Sequence, residues 1–152
     1  MSKRIDVTTV ATVVGTRYPP PFDVPCRARE RARLGDAAGL TQFGVNLLRL
    51  PPGVWSSQRH WHTGEDEFVY ILAGEVVLVS GEGEEVLRAG DAAGFKAGDT
   101  SGHCLQNRSN ADAVLLEVGT RAALDAVDYP DIDLVLPAEK ARGFTHRDGT
   151  PY

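Results

Sequence analysis

Cysteine is scarce: Cys26 and Cys104 are the two in a chain of 152 residues. Two thiols cannot build a secreted disulfide scaffold, and a separation of 78 positions (104 − 26) matches no zinc-knuckle spacing. A reducing, cytoplasmic setting is therefore expected. A basic excess is also missing. Sixteen Lys and Arg stand against 21 Asp and Glu, a formal net charge of −5, which offers no field to a phosphate backbone or an anionic lipid surface. Nucleic acid and membrane are thus not expected as partners. Long hydrophobic runs are absent too, since no stretch approaches the roughly 18 apolar residues of a membrane-spanning helix. Lys3-Arg4 followed by Val7 to Val14 alternates Val with Thr and Ala and has no clear small-residue cleavage site, so it reads as a strand and not as a signal peptide.

What the chain does have is turn residues. Sixteen Gly and nine Pro are spread along its length, with 42% hydrophobic residues between them, enough for one core and too little for two domains. From Gly44 the apolar runs are short and bounded by turn signals: Val45 to Leu50, Phe68 to Leu72, Val76 to Ser80, Glu85 to Leu87, Cys104 to Gln106 and Val114 to Val118. Strands of about five residues at this spacing indicate an all-β fold, a small antiparallel barrel or sandwich. Residues 1–42 read as an amino-terminal arm with a Pro-rich stretch at Tyr18-Pro19-Pro20-Pro21-Phe22 and a short helix started within Arg27 to Arg33. Residues 43–119 form the core. Residues 120–152 read as a carboxy-terminal extension packed on it, with one or two helical turns at Ala122 to Val127 and a last strand at Asp131 to Leu136.

The chemistry centres on His60-Trp61-His62 and Glu67. Alternate residues of a strand share a face, so His60 and His62 point the same way with Cα atoms about 6.6 Å apart, close enough for two imidazoles to reach one ion. Bonds of about 2.0–2.1 Å from imidazole nitrogen to zinc are normal, and iron, manganese, nickel or copper also accept imidazole with carboxylate. His103, far along the chain, is brought alongside when antiparallel strands close into a barrel, completing three histidines and one carboxylate. Glu65 shares the parity of Glu67 and stands as a reserve ligand or an outer support.

These residues resemble the two motifs of the cupin superfamily. Gly53, His60, His62, Glu67 and Gly74 are similar to the first, G-x5-H-x-H-x3 or x4-E-x6-G, and Gly90, Gly98, His103 and Asn107 to the second, G-x5-P-x-G-x2-H-x3-N. The spacing departs in three places: six residues separate Gly53 from His60, Lys96 replaces the usual Pro, and four residues separate Gly98 from His103. The tail, from Phe144 to Tyr152, resembles that of small bacterial single-domain cupins. The resemblance implies a cupin double-stranded β-helix over residues 43–119, with amino- and carboxy-terminal arms. It also implies one divalent metal (iron, manganese, nickel or zinc) held by His60, His62, Glu67 and His103.

Four protein ligands on an ion that accepts six leave positions for water, oxygen or a chelating substrate. The expectation is a metal-dependent oxygenase or isomerase acting on a small oxygen-rich molecule, and the competing one is a non-catalytic module that captures a small ligand and uses its metal structurally. Cys104, next to His103, should face the other side of the strand as a buried thiol. His146 is expected to be structural or exposed, Lys96 solvated, and Trp55, Trp61, Phe68 and Tyr70 packing residues. A homodimer is expected, because the Val7 to Val14 stretch would otherwise leave an unpaired sheet edge.

Overall fold

Each of the six apolar runs bounded by turn residues forms a strand, within two residues of the bounds read from the sequence. The computed structural model describes residues 4–152; Lys3 and the two residues before it lie outside the described residues. In chain order the strands are β1 (Thr12–Val14), β2 (Glu30–Arg33), β3 (Phe43–Leu50), β4 (Trp61–His62), β5 (Glu67–Ala73), β6 (Glu75–Ser80), β7 (Gly83–Arg88), β8 (Ala92–Phe95), β9 (His103–Gln106), β10 (Ala113–Thr120), β11 (Val127–Tyr129) and β12 (Leu134–Leu136). A single helical turn, α1 (Leu34–Ala37), joins β2 to β3.

All the strand pairings are antiparallel. A six-stranded sheet runs β1-β2-β3-β10-β5-β8, and two three-stranded sheets run β7-β6-β9 and β12-β11-β4. The architecture is all-β, with antiparallel sheets facing each other across one core, as the sequence led one to expect. Alternation explains how it closes. In β5, Val69 and Ile71 are buried while Phe68, Tyr70 and Leu72 are exposed, so one face of the strand enters the core. Leu48, Leu50, Ile71 and Leu115 of the large sheet meet Val76, Leu87 and Leu105 of the β7-β6-β9 sheet in one apolar cluster.

The arm and the extension meet in a second cluster. Tyr18 and Phe22 pack with Phe144 against buried Val127, Tyr129 and Leu134, and the Tyr18 and Tyr129 rings lie edge to face at 5.5 Å. Arg29, buried, ties this end down by donating to the Ser56 carbonyl at 2.6 Å and the Gly15 carbonyl at 2.9 Å.

Four expectations are corrected. The Val7 to Val14 stretch is a strand only over Thr12–Val14, because Asp6 accepts from the Thr8 amide and hydroxyl and Thr9 donates to the Asp6 carbonyl, holding Val7–Thr9 in a 3-10 turn. No helix starts within Arg27 to Arg33. Glu30, Arg31, Ala32 and Arg33 alternate faces with period two and pair with β3, so the segment is a strand and the helical turn comes after it. Ala122 to Val127 is not helical either: Asp125 turns inward to accept the Gly64 amide at 2.9 Å, and Val127 enters β11 between β4 and β12. The last strand is shorter than its expected span and begins at Leu134. Strand β8 had no sequence signal, since Ala92-Ala93-Gly94-Phe95 has poor strand propensity and is held by its pairing with β5. Among the described residues no helix is long and apolar enough to cross a membrane.

Candidate metal centre

Strands β4, β5 and β9 and the residue before β4 carry the four residues singled out by the motifs, and the structure brings their side chains together. His60 and His103 form a two-bond antiparallel bridge, His60 N–H to the His103 carbonyl at 3.1 Å and His103 N–H to the His60 carbonyl at 2.8 Å. Gly102 makes the approach possible. Its φ of +64° suits glycine, and a Cβ there would lie 3.1 Å from the His60 carbonyl oxygen. The two extra residues between Gly98 and His103 are taken up by a turn in which the Ser101 amide donates to Asp99 Oδ1 at 3.0 Å. The longer spacing therefore leaves His103 beside His60.

The Nε2 atoms of His60, His62 and His103 lie 3.3, 3.3 and 3.0 Å from one oxygen, Glu67 Oε2. That oxygen is buried and accepts no well-formed hydrogen bond. The second ring nitrogens explain why. His60 Nδ1 lies 2.9 Å from the Gln58 carbonyl oxygen, and His62 Nδ1 lies 2.7 Å from Asp125 Oδ2. In a neutral ring the proton sits on the nitrogen facing these acceptors, which leaves lone pairs on Nε2. Electron-rich atoms then face one another in a buried place, an arrangement that a cation satisfies: the proton held by His62 in the metal-free chain, or a metal ion in its stead. His60, His62 and Glu67, whose ligand atoms lie within 4.8 Å of one another, thus fit a divalent metal, while His103 joins them through its contact with the same Glu67 oxygen.

The supports are specific. Asp125 is buried and bonded to His62, to the Gly64 amide and to Lys140 Nζ at 3.0 Å. Phe95 stacks flat on the His103 ring at a centroid separation of 3.5 Å. Glu65 is held by Lys140 Nζ at 3.1 Å and stands 3.6 Å from His62 Nδ1. Although His62, Glu65 and Asp125 cluster in a way that could hold an ion, the Lys140 ammonium already bridges their carboxylates, so Glu65 reads as an outer support.

Charge is distributed accordingly. Burial opposes protonation of His62, but Glu67 and Asp125 outweigh it and raise its pKa to about 9 in the metal-free chain. Burial likewise opposes ionisation of Glu67, yet the three imidazoles hold its carboxyl well below the usual range. At His103 burial prevails and the pKa is lowered. Burial pushes the Cys104 thiol up to about 11; its sulfur accepts from Gln106 Nε2 at 3.7 Å, on the opposite side of β9 from His103.

The cluster lies at one end of a cavity of about 570 Å³, which extends past Tyr129 to the residues of β2. Val69 lines it, as the alternation from Glu67 implies. His146 lies outside the cavity lining, paired with Asp133 at 2.8 Å and stacked on Tyr152. Lys96 is exposed, and Phe68 and Tyr70 lie on the outer face of the large sheet instead of in the core. Reasoning from sequence missed Asp125, Lys140, Phe95 and Tyr129. Asp125 sat in a segment read as helical, and the others belong to no motif.

Comparison with known proteins places this geometry in a family. The Cupin domain family model matches residues 46–119. A solved structure from Silicibacter pomeroyi, described as a sugar phosphate isomerase from the cupin superfamily, superposes with a TM-score of 0.92 at 42% identity, covering 99% of this chain and 96% of that one. A putative sugar phosphate isomerase from Acidithiobacillus ferrooxidans gives a TM-score of 0.74 at 30% identity, over 80% and 78% of the two chains. Among curated proteins, the Oxalate-binding protein of Thermotoga maritima is 37% identical over 71 residues, 47% of this chain; the match spans 56% of that protein, somewhat more than half its length. The chain belongs to the cupin superfamily.

Proposed function

We propose that His60, His62, Glu67 and His103 hold one divalent ion, iron, manganese, nickel or zinc, and that the chain is a metal-dependent isomerase of a small polyhydroxylated phosphate ester. The observation that carries the metal is the convergence of three imidazole Nε2 atoms on the unpartnered, buried Glu67 Oε2. Isomerisation is favoured over oxygenation by the similarity, at 42% identity, to the sugar phosphate isomerase from Silicibacter pomeroyi. When bound, the ion supplies a Lewis acid for a chelating carbonyl and hydroxyl. Asp125 holds the His62 ring with Nε2 aimed inward, Phe95 fixes the plane of His103, and Tyr18, Tyr129 and Phe144 of the aromatic cluster line one side of the cavity. Glu65 remains an outer support. A cytoplasmic setting accords with two free, buried thiols, and a homodimer is part of the same proposal.

The experiment loads metal-free protein separately with iron, manganese, nickel and zinc. It screens sugars and sugar phosphates by magnetic resonance for isomerised product, with an oxygen electrode alongside. The expected result is isomerisation without oxygen uptake, lost in His62→Ala. Oxygen consumption would replace the isomerase by an oxygenase. The second reading, a non-catalytic ligand-capture module, is favoured by the name of the curated Oxalate-binding relative. Tight binding without turnover under every metal would establish it.

A further inference from the structure

The whole chain is acidic, yet one wall of the cavity is not. Arg17, Arg29, Arg31, Arg33 and Arg121 line it against two carboxylates, Asp36 and Glu117. Three of these arginines come from one segment. In β2 the register pairs Arg31 with Leu48 and Arg33 with Asn46, residues of β3 that face the core and the cavity, whereas Glu30 and Ala32 pair with the outward-facing Arg49 and Leu47. Strand parity thus turns Arg31 and Arg33 toward the cavity, Arg33 with more than half of its side chain exposed to solvent, in line with Arg29 just before the strand. Arg29 is spent on two backbone carbonyls and adds only its charge. Arg31 touches Glu117 at 3.2 Å, and its buried Nε has no acceptor. Arg33 is 4.0 Å from Asp36, whose carboxylate is shared with Arg121. Guanidinium groups outnumber their carboxylate partners along this wall, and the buried Arg31 Nε is left without an acceptor.

We propose that Arg31 and Arg33 of β2 form an anion subsite that takes the phosphate of a phosphomonoester whose sugar end reaches the histidine cluster. A phosphomonoester carries close to two negative charges at neutral pH and three acceptor oxygens, which suits several convergent guanidinium forks. The subsite comes from the amino-terminal arm and not from the motif-bearing strands, so the arm selects the substrate while the strands hold the metal. The inference rests on the cavity being the substrate site of the function proposed above.

The test measures binding of fructose 6-phosphate, fructose and gluconate by calorimetry to the full-length, metal-loaded chain, with bound metal quantified in each sample. Fructose 6-phosphate is expected to bind at least about tenfold more tightly than fructose, and Arg31→Gln and Arg33→Gln each to weaken it by about tenfold. Metal content and fructose affinity should not change. Arg33, with a side chain 56% exposed, is the variant that keeps the fold, checked by its thermal unfolding. Equal affinity for fructose and its phosphate, or no loss in Arg33→Gln, would overturn the subsite. Gluconate bound as tightly as the phosphate ester and lost in the same variants would overturn the phosphate assignment in favour of a carboxylate. Repeating the titration after chelation separates the two proposals. Arginine-dependent binding of inorganic phosphate by a chain that takes up no metal would support the subsite and remove the metal reading, while metal-dependent turnover indifferent to both arginines would do the reverse.

Discussion

His62 shows how one side chain is made into a ligand. Its Nδ1 is bonded to Asp125, itself held by the Gly64 amide and Lys140, so the ring plane is set before any ion arrives and Nδ1 keeps its proton when Nε2 gives its own up to a metal. Asp125→Asn is expected to weaken metal binding by about 10–100-fold, measured by competition with a chelator, whereas Glu65→Gln should have a smaller effect. Metal analysis of Glu67→Gln and Glu65→Gln tests the carboxylate assignment itself; retention in the first with loss in the second would reverse it. The pH dependence should change sign with metal. In the metal-free chain the His62 pKa is raised from 6.5 to about 9, so the stabilisation it gives is complete below 6.5 and lost as pH rises through about 9. Thermal unfolding of chelated protein should therefore fall over that window, and His62→Gln should flatten the slope. With metal present protons compete with the ion for imidazole, so occupancy should decline on the acid side instead.

At the scale of elements, positioning depends on glycine in tight turns. Gly74 ends β5 with φ +77°, and a Cβ there would collide with the Asp112 carbonyl oxygen; Gly53 has φ +81° but nothing within 4 Å. Both Gly→Ala changes force a left-handed residue, at about 1–2 kcal/mol, and Gly74→Ala also requires backbone to move. Chemical denaturation should show Gly74→Ala to be the more destabilising, by at least about 1 kcal/mol. Equal midpoints would mean that the turn between β5 and β6 yields easily. The β2 segment shows a different control: Glu-Arg-Ala-Arg has little strand propensity, and its pairing with β3 makes it a strand that delivers arginines to the cavity.

For the whole molecule, the expected homodimer has two candidate surfaces. Strand β1 is a sheet edge with Val13 and Val14 exposed, and the outer face of the large sheet exposes Phe68, Tyr70 and Leu72. Light scattering should give twice the chain mass of 16.4 kDa. Val13→Ser with Val14→Ser and Phe68→Ser with Tyr70→Ser form the comparison. Dissociation by the first pair would assign the interface to the edge, by the second to the face, and a monomeric native chain would end the proposal.

Periodicity and turn residues were enough to read the six main strands, since alternation of Val, Ile and Leu with exposed residues is a local property. That the His60, His62, Glu67 and His103 side chains lie near one another was also legible, because a period of two and the order of the motif residues are written along the chain even where the spacing departs. Where side chains or pairing partners from distant segments decide, sequence reasoning stopped. Asp125 acts by reaching His62 across 63 positions, β8 and β2 are strands because of what they pair with, and the Ala122 to Val127 stretch lost its helical turns to an inward carboxylate. The arginine wall shows the same limit. Net charge reports an acidic chain, but only the closure of the sheets gathers Arg31, Arg33 and their neighbours on one side of a cavity, because the face a residue presents depends on a register that tertiary packing sets.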